Sequence, residues 1–178
     1  MHSLIIKAHP RPDGFTHRIA SVYAERQKSL WHTVEILELT EKENFQEYAT
    51  FVDGSHLLED EIVKRIQAKI IEADELVWIF PVWWMDCPAV MKNFWDRNFT
   101  SGFAFRYEWG KPIKLLTWKI TKVFATAWGP GPIIGFFMGL IWKMGRCGFV
   151  GLKSTKFQVF GSFPKRTEQE KSEFLLRI

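Results

Sequence analysis

Cysteine is nearly missing from this chain. Only Cys87 and Cys147 occur among 178 residues, with no CxxC pair and no Cys/His spacing suited to a metal. That excludes a disulfide-stapled scaffold and fits a reducing cytosol. The glycine-rich phosphate signatures are missing too. The sequence contains neither GxGxxG nor GxxxxGK[ST], so neither a Rossmann dinucleotide site nor a P-loop fits. Lys and Arg are scattered rather than blocked, and without a clustered basic face no nucleic-acid partner is expected. The net charge of +4 and pI near 9.1 favour a small anionic partner such as a nucleotide. The apolar run at 4–6 is far too short for the core of a signal peptide. Histidine is confined to His2, His9, His17, His32 and His56, and no Ser/His/Asp or Cys/His order stands out. Any demanding chemistry therefore falls to a cofactor.

What the chain does have is aromatic surface: 16% of its residues are aromatic, 9 of them Trp, within a hydrophobic content of 47%. The length suits one domain, residues 1–178, with a sizeable core. Along it, compact apolar runs alternate with segments of helical period. Residues 3–9 (SLIIKAH), 33–39 (TVEILEL), 75–80, 120–127 and 154–160 read as strands. Residues 16–28 carry Ile19, Val22 and Tyr23 at helical spacing. A second helix is expected from Ser55, with Leu58, Ile62, Ile66 and Ile70 four residues apart. Pro88 opens a third helix over 89–97, 136–144 reads as a fourth, and Thr167 to Glu170 has capping-box spacing for the last. Residues 123–142 run without a charge, about the length of a membrane span. Gly129-Pro130-Gly131-Pro132 interrupts them, which favours a strand, a tight loop and a short apolar helix. A peripheral membrane contact through Phe136, Phe137, Leu140 and Ile141 is the alternative use of that helix.

Alternating strands and helices predict an α/β fold, a doubly wound parallel sheet covered by helices on both faces, with ligands at the carboxyl ends of the strands. Three loops then open on one edge: AHPRPDGFT (8–16), PVWWMDCP (81–88) and TAWGPGP (126–132). The first feeds a helix N-terminus, a natural phosphate site, where Thr16 adds a hydroxyl and His9, His17 and Arg18 add basic character. The second offers the amides of Val82, Trp83 and Trp84 beside indole faces, a mixture suited to a flat heterocycle with polar edges. The third adds Thr126, Trp128 and glycines permitting close approach. Cys87 sits near a helix N-terminus, which would lower its pKa, although a small buried thiol is the simpler reading. Asp86 reads as an acid or a cap, and Asp96–Arg97 as a structural pair.

AHPRPDGFTHRIA, FPVWWMDCPAVMKNFWDRNFTSGFAFRY and RCGFVGLKSTKFQVFGS together resemble the flavodoxin-like NAD(P)H:quinone oxidoreductases, a group that includes ancillary subunits of bacterial potassium-efflux systems. The resemblance spans nearly the whole chain. It implies a five-stranded sheet of order 2-1-3-4-5 and a flavin, FMN in preference to FAD because no added C-terminal segment suggests an adenosine site. It places His9, Phe15, Thr16 and Arg18 on the phosphate side, and Pro81, Val82, Trp83, Trp84 and Met85 along the isoalloxazine. Thr126, Ala127, Trp128 and Gly129 close its other edge. It further implies a cytoplasmic homodimer, with Phe105 and Tyr107 reaching the partner's substrate pocket. The activity implied is ping-pong hydride transfer through flavin N5, from NAD(P)H to a quinone or similar acceptor. Two departures stand out: Gly14 replaces a serine of many relatives, and TAWGPG replaces T-x-G-G, with no Tyr or His after Tyr107. They motivate the alternative of a flavin-binding ancillary subunit of a membrane transporter with little turnover. No side chain is assigned as acid or base. Trp83, at a variable position, is the residue left to tune which acceptor fits.

Overall fold

The computed structural model describes residues 1–11, 13–50 and 60–178. The most buried strands organise the rest. β1 (His2–Lys7) and β3 (Glu75–Pro81) are buried almost throughout, as strands covered on both faces must be. They are joined by β2 (Thr33–Glu38), β6 (Ile120–Thr126) and β7 (Lys153–Phe160) in one parallel sheet of order β2-β1-β3-β6-β7. Counting only these five strands, the order is the expected 2-1-3-4-5. β4 (Phe105–Glu108) and β5 (Lys111–Lys114) form a separate antiparallel ribbon that the sequence reading did not anticipate.

Strand alternation divides the core in two. Leu4, Ile6, Leu76, Trp78, Phe80 and Val123 face α2 (Glu61–Glu72), α3 (Ala89–Asn98) and α4 (Gly131–Leu140). Ile5, Val77, Ile79 and Phe124 face α1 (Phe15–Ser29) and α6 (Glu168–Leu176). Trp78 is the hub of the first core. It stacks on Trp95 at 4.7 Å, meets Trp142 edge-on at 5.6 Å, and donates its indole N–H to Thr121 Oγ1 at 2.8 Å. Trp78, Trp95 and Trp142 are buried, whereas the other six of the nine Trp are exposed. The tryptophans therefore serve surface more than core.

Local structure follows local chemistry. Asp60 caps α2 through Ile62 N–H at 2.7 Å, and Thr167 and Glu170 form the expected capping box on α6. The helix expected from Ser55 begins at Glu61; positions 55–59, with Leu58, lie outside the described residues. The fourth helix starts earlier than its apolar period suggests, at Gly131. It runs on through a π-helical turn (Ile141–Cys147) into the short α5 (Gly148–Val150). By length and composition Gly131–Val150 qualifies as a membrane span. Ile134, Met138, Trp142 and Cys147 nevertheless pack into the domain core. Asp96 and Arg97 are not a pair. They point apart on α3: Lys92 binds Asp96, while Arg97, 5% exposed, binds Asp60 at 2.5 Å.

Register brings Pro81, Thr126 and Phe160 abreast at the carboxyl edge. Beyond that line, Ala127 N–H donates to Phe160 O at 2.9 Å and Ser162 N–H to Gly129 O at 2.8 Å, so the third loop is sewn to the chain leaving β7. The crossing is close enough to demand glycine on both sides. A Cβ on Gly161 would stand 2.0 Å from Gly131 N. Gly161→Ala is expected to lower stability by about 3 kcal/mol, a fall in Tm of roughly 10 °C by thermal circular dichroism. An unchanged Tm would show that the two segments do not cross this tightly.

Candidate active site

All three loops open at the same sheet edge, and a cleft of about 570 Å³ lies among them. Its walls include His9, Phe15, Arg18, Pro81, Val82, Trp83, Thr126 and Trp128 from the predicted set. Thr16, Ala127 and Gly129 sit behind this surface: Thr16 and Ala127 are buried, and Gly129 lies in the loop that carries Trp128. Trp84 and Met85 do not line the cleft, and Trp84 projects fully into solvent. Phe105 and Tyr107 lie on the ribbon, stacked edge-to-face at 5.8 Å, and are not brought to this cleft. The chain after β7 supplies lining that sequence reasoning missed: Phe163, Pro164, Glu168 and Lys171. Only the capping box of α6 was visible, and it says where that helix starts, not what it covers.

The phosphate-side loop ends at Gly14, which caps α1 with extended backbone and no side-chain hydrogen bond. The first N–H groups of the helix are thus left for a ligand. Thr16 Oγ1 is completely buried and has no hydrogen-bond partner among the described residues. An orphaned hydroxyl beside an uncapped helix end is what an oxyanion site provides. Arg18 lies over the Phe15 ring at 5.2 Å and pairs with Glu168 at 3.1 Å; Glu168 also holds Lys171 at 2.6 Å. The His9 ring accepts Arg11 N–H at 3.0 Å through Nδ1, and burial draws its pKa below the usual histidine value. A Cβ on Gly14 would come 2.6 Å from His9 Nδ1. A side chain at position 14 and the present His9 rotamer therefore exclude each other.

The tryptophan loop differs from its expected use. Two of its three amides are already engaged: Val82 N–H donates to Thr126 O at 2.7 Å and Trp83 N–H to Asp86 O at 2.8 Å. With Asp86 N–H returning to Trp83 O at 2.9 Å, the segment closes as a two-residue turn. Trp84 and Met85 both adopt left-handed backbone, φ 49° and 59°, where Asn-Gly is the usual occupant. Asp86 is neither a free acid nor a helix cap. Burial pushes its carboxyl up, but the Arg146 guanidinium and the Cys87 N–H outweigh that and hold it below the usual carboxylate range. The helix-terminus expectation for Cys87 is also overturned, because burial pushes its thiol up to about 12.

The flavodoxin-like fold family matches the chain over residues 1–178. The chain belongs to that family. An uncharacterized NAD(P)H oxidoreductase of Haemophilus influenzae is 28% identical to it, over 90% of this chain and 84% of that protein. Among solved structures, Smu.1420 from Streptococcus mutans UA159 superposes with a TM-score of 0.85 at 26% identity, covering 99% of this chain and 96% of its own. An NAD(P)H:quinone oxidoreductase from Methanothermobacter marburgensis superposes with a TM-score of 0.84 at 26% identity, covering 99% and 94%.

Cys147 is likewise buried, its thiol raised to about 12. At pH 8 a thiol of that pKa is ionised to roughly one part in ten thousand. Native protein is expected to resist iodoacetamide and to take up two equivalents once unfolded in guanidinium, read by intact mass. Rapid alkylation of the native protein at Cys87 would contradict this burial.

Proposed function

We propose that the protein is an FMN-dependent NAD(P)H:quinone oxidoreductase and that the cleft is its flavin site. The observation that carries this reading is Thr16 Oγ1, buried and unpartnered at the uncapped start of α1, directly behind Phe15 in a cleft also walled by Pro81, Val82, Trp83 and Trp128. Its volume of about 570 Å³ suits a ligand of cofactor size.

FMN supplies the redox chemistry when bound, taking two electrons from NAD(P)H and passing them to a quinone-like acceptor. The chain supplies position and electrostatics. Phe15 and Thr16 offer amide N–H groups and a hydroxyl to the phosphate. Arg18 lies at the same end, kept in place by Glu168 and the Phe15 ring. Val82 and Trp83 form one wall; their amides are spent within the protein, so they orient by shape rather than by hydrogen bonds. Thr126 and Trp128 form the other wall, pinned by the sewing of the third loop to the chain after β7. Free, buried Cys87 and Cys147 support a cytoplasmic setting.

We assign the remaining apolar surface to a second copy of the chain rather than to a membrane or a transporter. Ile133, Phe136, Phe137, Leu140, Ile141 and Met144 are exposed along one helix whose opposite side is fixed in the core. Phe105 and Tyr107 stand outside their own cleft, which supports their reaching the partner's. Light scattering coupled to gel filtration is expected to give twice the chain mass of 20.9 kDa. A monomer at micromolar concentration would remove this assignment.

Thr16→Val is expected to weaken FMN binding by about 1–2 kcal/mol, the worth of a charge-assisted hydrogen bond, read by quenching of FMN fluorescence. Riboflavin, which lacks the phosphate, should bind wild type and variant alike. Unchanged FMN affinity in the variant would show that the phosphate lies elsewhere.

A further inference from the structure

The flavin-site reading leaves the strained turn, the π-helical turn and Arg146 without a role. They form one device. The Arg146 guanidinium grips Asp86 with both ends, Nη1 to Oδ1 at 2.7 Å and Nη2 to Oδ2 at 2.6 Å, and its side chain is only 12% exposed. The same guanidinium lies over the Trp142 ring at 4.9 Å. Trp142 is fully buried and stacks on Phe80 at 5.0 Å. The grip on Asp86 is thus anchored against the buried Trp142–Phe80 stack.

Asp86 closes the turn whose two central residues, Trp84 and Met85, hold left-handed backbone. Bulky residues stay in that region only where their surroundings over-determine it. The forked ion pair, together with Cys87 N–H donating to Asp86 Oδ1 at 2.7 Å, is that surrounding constraint. Arg146 is carried on the π-helical turn, Ile141–Cys147. Such turns are rare and gather at functional positions. The residue this device fixes on the cleft side is Trp83, whose backbone pairs twice with Asp86 and which lines the cavity.

We propose that Arg146 is a positioning residue: through Asp86 it holds the Trp83–Asp86 turn in its strained form, so that Trp83 stands as a fixed wall of the cleft and shapes the space an acceptor must enter. The proposal deepens the oxidoreductase reading and rests on it. Arg146 touches neither cofactor nor acceptor and works entirely through the shape of the turn. The phosphate end, built by α1 and α6, lies outside its reach.

The test compares wild type with Arg146→Met, Arg146→Lys, Asp86→Asn and the Asp86→Asn/Arg146→Met double variant, each loaded with FMN. Arg146→Met is expected to raise KM for benzoquinone roughly tenfold, a typical consequence of a slightly misplaced wall. FMN affinity and the rate of flavin reduction by NADPH should change less than the acceptor KM, because the phosphate end of the cleft does not involve the turn and Trp83 is only one of its walls. Lys keeps the charge without the fork and should recover only part of the loss. The double variant should be no worse than the worse single one, since both remove the same contact. In parallel, fluorotryptophan NMR of the flavin-free protein should show the Trp83 and Trp84 resonances moving in Arg146→Met while that of Trp31 stays. Acceptor KM unchanged, or the two Trp resonances unmoved, would overturn the proposal. A uniform loss of FMN affinity, reduction rate and melting temperature would also overturn it, by showing a merely structural role. Failure of wild type to take up FMN would instead remove the functional reading, and the acceptor role with it, while the NMR result would still decide the clamp.

Discussion

Everything at the site depends on one constraint: the five strands of the main sheet run parallel, because the chain crosses back over the sheet before each next strand begins. Parallel strands deliver all their following loops to the same edge. Here β1, β3, β6 and β7 end side by side, with Pro81, Thr126 and Phe160 in register. Loops far apart in sequence converge on one cleft for that reason alone. The chemistry then needs little more than suitable groups at those loop positions, and the chain provides an uncapped helix end, a buried hydroxyl and indole walls.

The tryptophans show how the same residue type serves opposite ends. Trp78, Trp95 and Trp142 fill the core between the sheet and the helices α3 and α4, where stacking and burial act together. Trp83 and Trp128 stand at the cleft, and Trp84 and Trp109 are held outward at turns with left-handed backbone. A Trp in such a conformation contributes nothing to the core and adds strain. Its presence at Trp84 directs attention to the force that holds the turn, and the Asp86–Arg146 pair supplies it.

The sheet was legible because its signals are local. SLIIK and ELVWIF are continuous apolar runs, and buried parallel strands require that pattern. The converging loops were legible once those strands were placed, and eight of the predicted residues line the cleft directly. Less was legible where contacts are long-range. Nothing near Asp86 in sequence announces Arg146, sixty positions on. Nor does α6 announce that Glu168 and Lys171 reach Arg18 and the cleft. The fate of individual amides, such as those of Val82 and Trp83, is set by neighbouring strands and cannot be read from their own loop. The ribbon did carry a signal: Trp109-Gly110 sits between FRYE and KPIK, and both turn residues have positive φ.

The central claim is that this edge of the sheet holds a flavin that exchanges electrons with a nicotinamide donor and a quinone. The most direct measurement is the visible absorption of FMN-loaded protein under anaerobic conditions, followed as NADPH and then benzoquinone are added. The account predicts that the flavin band bleaches with NADPH and returns with one equivalent of quinone, repeatedly and without loss of protein-bound flavin. A colourless protein that refuses added FMN would contradict it, as would a yellow one whose spectrum neither nicotinamide nucleotide changes.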